Sequence, residues 1–302
     1  KFENNEVKKE VFELGRHLFY EPMLSKDNTI SCGSCHQQFA AFAHAEHKFS
    51  HGINDLVGTR NSPALFNIPW QANFMHDGGI NHIEVQPIAP IQNPIEMAEL
   101  FSSVLSKLQA SSKYRSLFEK AYGDPEVTDS RMLKAMAQFM GLMYSYNSKF
   151  DFFKRNENGV TLSEEELRGY QIVRTKCAPC HQEPLFSDYG FHNNGLAVDP
   201  TIQDSGRARI TQLPEDKYKF KTPSLRNIML TAPYMHDGRY NTIEQCLDHY
   251  TNNVVNTTNL DPILAANNGI ALSASEKADI VAFLKTLTDY KFINDVKFSE
   301  IK

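Results

Sequence analysis

The chain alternates short stretches of helical periodicity with long stretches that have none. In NEVKKEVFELGRHLFY the apolar residues Val7, Val11, Leu14 and Leu18 recur three and four apart, which is one face of an α-helix. IEMAELFSSVLSKLQ predicts a second helix with Met97, Leu100, Phe101, Val104 and Leu108 on one face, and residues 129–147 predict a third, carried by Met132, Met136, Phe139, Met140 and Met143. A methionine stripe at this spacing reads as core filling, because the unbranched thioether adapts to irregular gaps. ENGVTLSEEELRGYQIVRTKCAPCH restarts the pattern. Asn158–Gly159 is a turn signal, and either Thr161 with Glu164 or Ser163 with Glu166 forms a capping box. The break sets a boundary near residue 155, with one unit over 1–157 and a second over 158–302. TIEQCLDHYTNN, with Thr242 as N-cap, lines up Ile243, Cys246, Leu247 and Tyr250; SASEKADIVAFLKTLTDY, capped by Ser273 or Ser275, buries Ile280, Phe283, Leu284 and Leu287. The stretches at about 37–94 and 182–240 are rich in Gly, Pro and Asn and show no period; loops of such length are functional or disordered. The fold class is therefore mainly α.

Two words repeat in the same order. Cys-x-x-Cys-His occurs at Cys32–His36 and at Cys177–His181, and Met-His-Asp-Gly at 75–78 and 235–238, each time after a Pro-x-Leu run and an Asn and before Ile-Glu and Gln. That is the mark of a duplicated module.

Composition bounds what the words can mean. The 302 residues, 41% hydrophobic, suffice for one large core or two smaller ones. No long uncharged apolar run is present to span a membrane. A net charge of -5 without basic runs argues against a nucleic-acid partner. Of five cysteines, four fall in the repeated word and Cys246 is left over, which is no disulfide framework; Cys246 reads as a small buried hydrophobe. A thioredoxin-type dithiol would need a preceding strand, and neither site has one. A zinc site pairing the two words would bridge a gap far longer than finger or ribbon spacing. Covalent haem uses every position: two thiols add to the porphyrin vinyls and the His becomes the proximal iron ligand. A helix before the word and another near the end is how a small c-type cytochrome encloses its cofactor. Thioether attachment takes place outside the bacterial cytoplasmic membrane. The chain, which starts at Lys1 without an apolar leader, is thus expected in the periplasm with its signal peptide removed.

Taken together, CGSCH, GTRNSPALFN, HDGG with EVQPIAPIQNPIEM, CAPCH, and TPSLRN with TAPYMHDG and TIEQ resemble the bacterial di-haem cytochrome c peroxidase family, MauG-like oxidases included, over about residues 10–290. The resemblance implies two cytochrome-c-like haem domains in tandem with long haem-wrapping loops. It implies two covalently bound haem c groups, on Cys32, Cys35 and His36 and on Cys177, Cys180 and His181, and one calcium ion between them. The N-terminal haem would be peroxidatic and the C-terminal haem would pass electrons. Gln86 and Glu96 fall where similar enzymes have their distal pair, and a carboxylate in an apolar haem pocket has a raised pKa suited to moving a proton; without the resemblance Glu96 reads as a helix N-terminal residue favoured by the dipole. His51 lies where many members carry a removable sixth ligand, with His44 and His47 nearby. Tyr250 stands where peroxidases usually carry Met and MauG-like members Tyr; a core tyrosine fits the helical face equally well, and His249 is the next candidate. Relatives often place a Trp between the haems at the position of His76, whereas the one Trp here is Trp70. Asn61, Thr231 and Pro233 correspond to calcium ligands, an oxygen set suited to a hard cation.

The expected activity is reduction of hydrogen peroxide at the N-terminal haem with electrons relayed through the C-terminal one, drawn from a small electron-donor cytochrome or copper protein, with a homodimer open as the assembly. The alternative is a MauG-like peroxide-dependent oxidase of a protein or small-molecule substrate. A plain electron-transfer cytochrome is the third reading, against which Gln86 and Glu96 speak.

Overall fold

Helices form where an apolar face coincides with a workable start. In the computed structural model, which describes residues 4–301, the first helix is Lys9–Phe19. It buries Val11, Leu14 and Leu18, but it begins after Val7, which stays 50% exposed. The second expected helix also starts late, at Phe101–Ala110. Before it, the Asn93 side chain accepts from the backbone N–H of Ile95 at 3.2 Å and holds residues 94–97 in a turn. Leu100 is consequently 65% exposed, and Met97 is buried from the turn rather than from a helix. The third helix, Asp129–Gly141, starts at Thr128, whose hydroxyl accepts from Arg131, and all five residues of the methionine stripe are buried.

The later helices follow their caps. Ser163 with Glu166, the second of the two capping boxes offered by the sequence, opens Glu164–Ile172, which runs through a wider turn at Val173–Cys177 into the haem word. Thr242 with Gln245 opens Ile243–Asn252, and Ser273 with Glu276 opens Ala274–Lys285. The long loops contain short turns and the helix Ile88–Gln92. The one sheet among the described residues is a two-stranded antiparallel ladder, with Phe191 opposite Lys221 and His192 opposite Phe220.

Buried apolar residues fall into two clusters. The first gathers residues from Val11 to Met143, and the second residues from Phe150 to Leu287. Each is crossed by a pair of helices in van der Waals contact through a glycine. A Cβ on Gly15 would stand 2.0 Å from the Ala135 carbonyl oxygen, and one on Gly169 1.9 Å from that of Asp279. The repeat extends to the turns: Asn67 and Asn227 both take a left-handed φ, at 53° and 55°, ahead of the short helices Ile68–Trp70 and Ile228–Leu230. The two Met-His-Asp-Gly words are both tight loops closed by single bridges, Phe74 with Ile80 and Tyr234 with Tyr240.

The chain then turns back on itself. Phe292 and Phe298 insert into the first cluster, where they meet Phe42 at 5.7 and 6.3 Å between ring centres. Tyr20 donates to the Phe298 carbonyl at 2.6 Å. Between the halves, Arg60 donates to Asp77 at 2.6 Å and to both carboxylate oxygens of Asp204 at 2.6 and 2.9 Å. The expected outer limits of the two units, Lys1 and Lys302, lie outside the described residues. No helix among the described residues is long and apolar enough to cross a membrane.

Candidate haem and peroxide site

Both Cys-x-x-Cys-His words open on one continuous cavity of about 510 Å³ whose wall is mostly apolar. Cys32 and Cys35 occupy a single helical turn held by a Ser31–Ser34 capping box, and Cys177 ends the wide turn after the Glu164–Ile172 helix. Burial pushes the Cys32 thiol up to about 12 and the Cys177 thiol up to about 11. Such groups are poor thiolates and poor dithiol catalysts. The words also fail to converge on one ion. Among the described residues the one grouping tight enough for a metal is Cys180, His192 and Asp261, which draws on a single word.

The two histidines are presented alike. His36 Nδ1 lies 2.8 Å from the Phe42 carbonyl and His181 Nδ1 3.1 Å from the Phe186 carbonyl. A carbonyl only accepts, so Nδ1 carries the hydrogen in each ring and Nε2 keeps its lone pair. That is how a protein fixes the tautomer of an axial ligand. Burial lowers both pKa values, which keeps the rings neutral. The Tyr189 hydroxyl, on the wall of the same cavity, is the one buried side-chain oxygen or nitrogen among the described residues without a partner. An orphaned donor facing a roomy cavity calls for a polar group to fill it. Thiols in pairs, oriented imidazoles and an orphaned hydroxyl together fit a c-type haem at each word.

Around the first word the wall carries Gln86, Glu96, His51 and Met75. Glu96 sits in the turn after Asn93, five residues ahead of the helix Phe101–Ala110, so it is not the dipole-favoured helix residue that its sequence position allows. Burial raises its pKa against a 2.7 Å bond donated by the Asn93 amide. Its charge is felt by the thiols of Cys32 and Cys35, which sets it beside the first word. Gln86 points its amide at Met75 Sδ, 3.8 Å away. His51 reaches the cavity from an exposed loop, with Nδ1 held 2.5 Å from Asp55. The neighbouring Gly52 allows that loop to lie on residues 95–96, since a Cβ there would be 2.1 Å from the Ile95 carbonyl. His44, by contrast, is buried against Ser50 at 2.8 Å, and His47 stacks on it at 4.4 Å.

Around the second word stands Tyr250. It faces the cavity, and its hydroxyl, pushed up to about 12 by burial, senses the thiols of Cys246, Cys180 and Cys177. The Asn194 amide donates to it at 3.4 Å and touches Met235 Sδ at 3.6 Å. His249 is turned away: its Nε2 bonds the Asn194 carbonyl at 3.0 Å, and it is buried outside the cavity wall. Cys246 is half-buried on that wall beside Tyr250 rather than in the core.

Asn61, Thr231 and Pro233 also line the cavity, between the words. The Asn61 amide nitrogen is spent on the carbonyls of His47 and Lys48 at 3.1 and 3.2 Å, which leaves its oxygen for a cation. A bond from Glu46 to the Ala232 carbonyl ties the 231–233 segment to the same loop. The Asn61 peptide joins the repeated words, taking a 2.8 Å bond from His76 Nε2 and giving one to the His236 carbonyl. Gly52, Asn194 and Tyr189 carried no signal in the sequence, because each acts through a long-range approach that neither spacing nor periodicity encodes.

A profile described as di-haem cytochrome c peroxidase matches residues 9–159. The methylamine utilization protein MauG of Methylorubrum extorquens is 31% identical over 94% of this chain and 79% of its own length. The cytochrome c551 peroxidase of Nitrosomonas europaea is 32% identical over 92% and 80%. Among solved structures, a MauG-like protein associated with microbial copper homeostasis superposes with a TM-score of 0.89 at 31% identity, covering 98% of this chain and 94% of that one. The di-haem peroxidase BthA of Burkholderia thailandensis shares the fold, with a TM-score of 0.81 at 21% identity over 99% of this chain and 91% of its own.

Proposed function

We propose that this chain, which belongs to the di-haem cytochrome c peroxidase family and is an oxidoreductase of that type, reduces hydrogen peroxide to water beside Glu96, with electrons relayed through its C-terminal half. The observation that carries the reading is the asymmetry of the cavity: a carboxyl that burial makes a weaker acid stands at the first word and a phenol at the second.

Cys32 and Cys35 would hold one haem by thioethers with His36 Nε2 as proximal ligand, and Cys177, Cys180 and His181 the other. Bound there, the haems supply one-electron redox chemistry and an iron site for peroxide. The side chains do the rest. Glu96 Oε2 takes the proton from one peroxide oxygen and delivers it to the departing one, while Asn93 fixes Oε1. Gln86 would orient the peroxide by its amide, and His51, held by Asp55, would be a displaceable holder of the iron. At the second half, the Tyr250 hydroxyl would help hold the haem iron, with Asn194 setting the direction of its oxygen. Asn61 with the Thr231 and Pro233 carbonyls forms the calcium site between the halves.

The same reading takes residues 1–157 and 158–302 as tandem cytochrome-c-like units, supported by the paired glycine crossings and paired Met-His-Asp-Gly loops. It sets the enzyme in the periplasm, with a small cytochrome or copper protein as electron donor and a homodimer as its assembly. Tyr250 favours a second reading, a MauG-like oxidase, because a phenolate stabilises ferric iron where a thioether would raise the potential.

The test uses protein matured with haem attachment. It should oxidise a reduced small cytochrome when peroxide is added. Glu96→Gln should keep both haems and lose about 10²–10⁴-fold in rate, the range of an acid–base group. An unaltered rate would return Glu96 to a structural part.

A further inference from the structure

The duplicated halves allow each position to be compared with its counterpart. The turns at Asn67 and Asn227 are held in the same way. Asn67 N–H bonds the Met143 carbonyl at 2.9 Å and Asn227 N–H the Leu287 carbonyl at 3.1 Å. Their amide oxygens accept from the backbone of Ser145 at 3.0 Å and of Asp289 at 2.8 Å. This register pairs Trp70 with Leu230 and Tyr144 with Thr288. In the second half an aliphatic residue and a hydroxyl suffice for the turn. In the first half the same two places hold the one tryptophan of the chain and a tyrosine, edge to face with ring centres 5.3 Å apart.

Packing does not account for the indole, which is 55% exposed. An aromatic ring left half in water forgoes much of the burial that normally selects it. Its position relative to the cavity is the second observation. The turn Ile68–Trp70 begins with a residue of the cavity wall, Ile68, and is followed by another, Gln71. Trp70 therefore stands one residue from the wall on the inside and in solvent on the outside.

We infer that Trp70, backed by Tyr144, is the point at which the N-terminal half draws single electrons from phenolic donors that remain outside the cavity. The inference rests on the peroxide-reducing reading above. Reduction of one peroxide to two waters consumes two protons and two electrons. Two phenols supply them in turn: each gives one electron to an oxidised Trp70, releases its hydroxyl proton to solvent and leaves as a phenoxyl radical. Trp70 passes each electron inward and ends unchanged. The exposed indole face gives an aromatic donor a stacking surface. The phenol is either a free molecule or a tyrosine side chain on a partner.

The experiment compares wild-type holoprotein with Trp70→Phe and Trp70→Tyr. Phe keeps a stacking ring that resists oxidation, and Tyr keeps an oxidisable one. Peroxide is added with a methoxyphenol in one arm and a tyrosine-containing peptide in the other, and coupled phenol products are measured. A third arm omits the donor and maps added oxygen by mass spectrometry. Coupling should fall about tenfold or more in Trp70→Phe and be retained in Trp70→Tyr, and Trp70 should gain oxygen in the donor-free arm. The arm that couples faster identifies the source of the phenol. Wild-type coupling rates in Trp70→Phe, or no oxygen at Trp70, would overturn the inference while oxidation of a reduced cytochrome still upheld peroxide reduction. A wild type inert to peroxide with every donor would overturn both.

Discussion

At the scale of single residues, the two halves of the cavity differ by what burial does to one acid and one phenol. Burial holds the Glu96 carboxyl above the usual carboxylate range. The ionised form, which takes the proton from peroxide, therefore fills only as pH rises through that raised value. The peroxide reaction should lose rate on acidification at a pH above the ordinary glutamate value of about 4.3, and in Glu96→Gln this acid limb should vanish from the profile. Burial pushes the Tyr250 hydroxyl up to about 12, so as a metal ligand it would have to give up its proton. Tyr250→Met should raise the potential of the C-terminal haem and speed turnover with a high-potential cytochrome. Spectroelectrochemical titration of both proteins checks this; identical potentials would make Tyr250 a wall residue only. His249, the other candidate on that helix, is already engaged with the Asn194 carbonyl.

At the scale of elements, the glycine crossings decide how closely the helices of each half approach. Gly15→Ala and Gly169→Ala would drive a methyl group into the carbonyls of Ala135 and Asp279. Each should cost about 1–3 kcal/mol, as overpacking does, visible as a lower thermal midpoint of the holoprotein. Unchanged midpoints would mean that the helices separate freely. These crossings also mark what the sequence disclosed. The apolar faces of the helices 9–19, 129–141 and 274–285 were legible because their periodicity held along each, and at 274–285 the Ser273 cap agreed with it. The start at Phe101 was not, since an Asn93 turn outweighed an apolar pattern that ran through it. The haem words and the Met-His-Asp-Gly loops were readable as motifs. Asn194 and Tyr189 were not, because their meaning lies in what they face across the cavity.

At the scale of the whole molecule, Arg60 is an ionic joint between the halves. Burial alone would raise the Asp204 carboxyl, but the bonds and charge of Arg60 hold it down at about 2. A depressed carboxylate stabilises the fold above its unfolded value of about 3.9 and loses that contribution as pH falls through its folded value. Acidification from about 4 to 2 should therefore loosen this joint. Arg60→Met, which leaves Asp77 and Asp204 buried without their cation, should cost about 3–5 kcal/mol at neutral pH and move acid unfolding to higher pH. Denaturant titration at several pH values measures both. The return of residues 292–298 into the first cluster has a consequence of another kind, in the order of manufacture. A chain leaves the ribosome from its N-terminus, and domains usually fold in that order. Here the first core waits for Phe292 and Phe298, made after the second core already has every residue through Leu287. The unit synthesised first is therefore completed last.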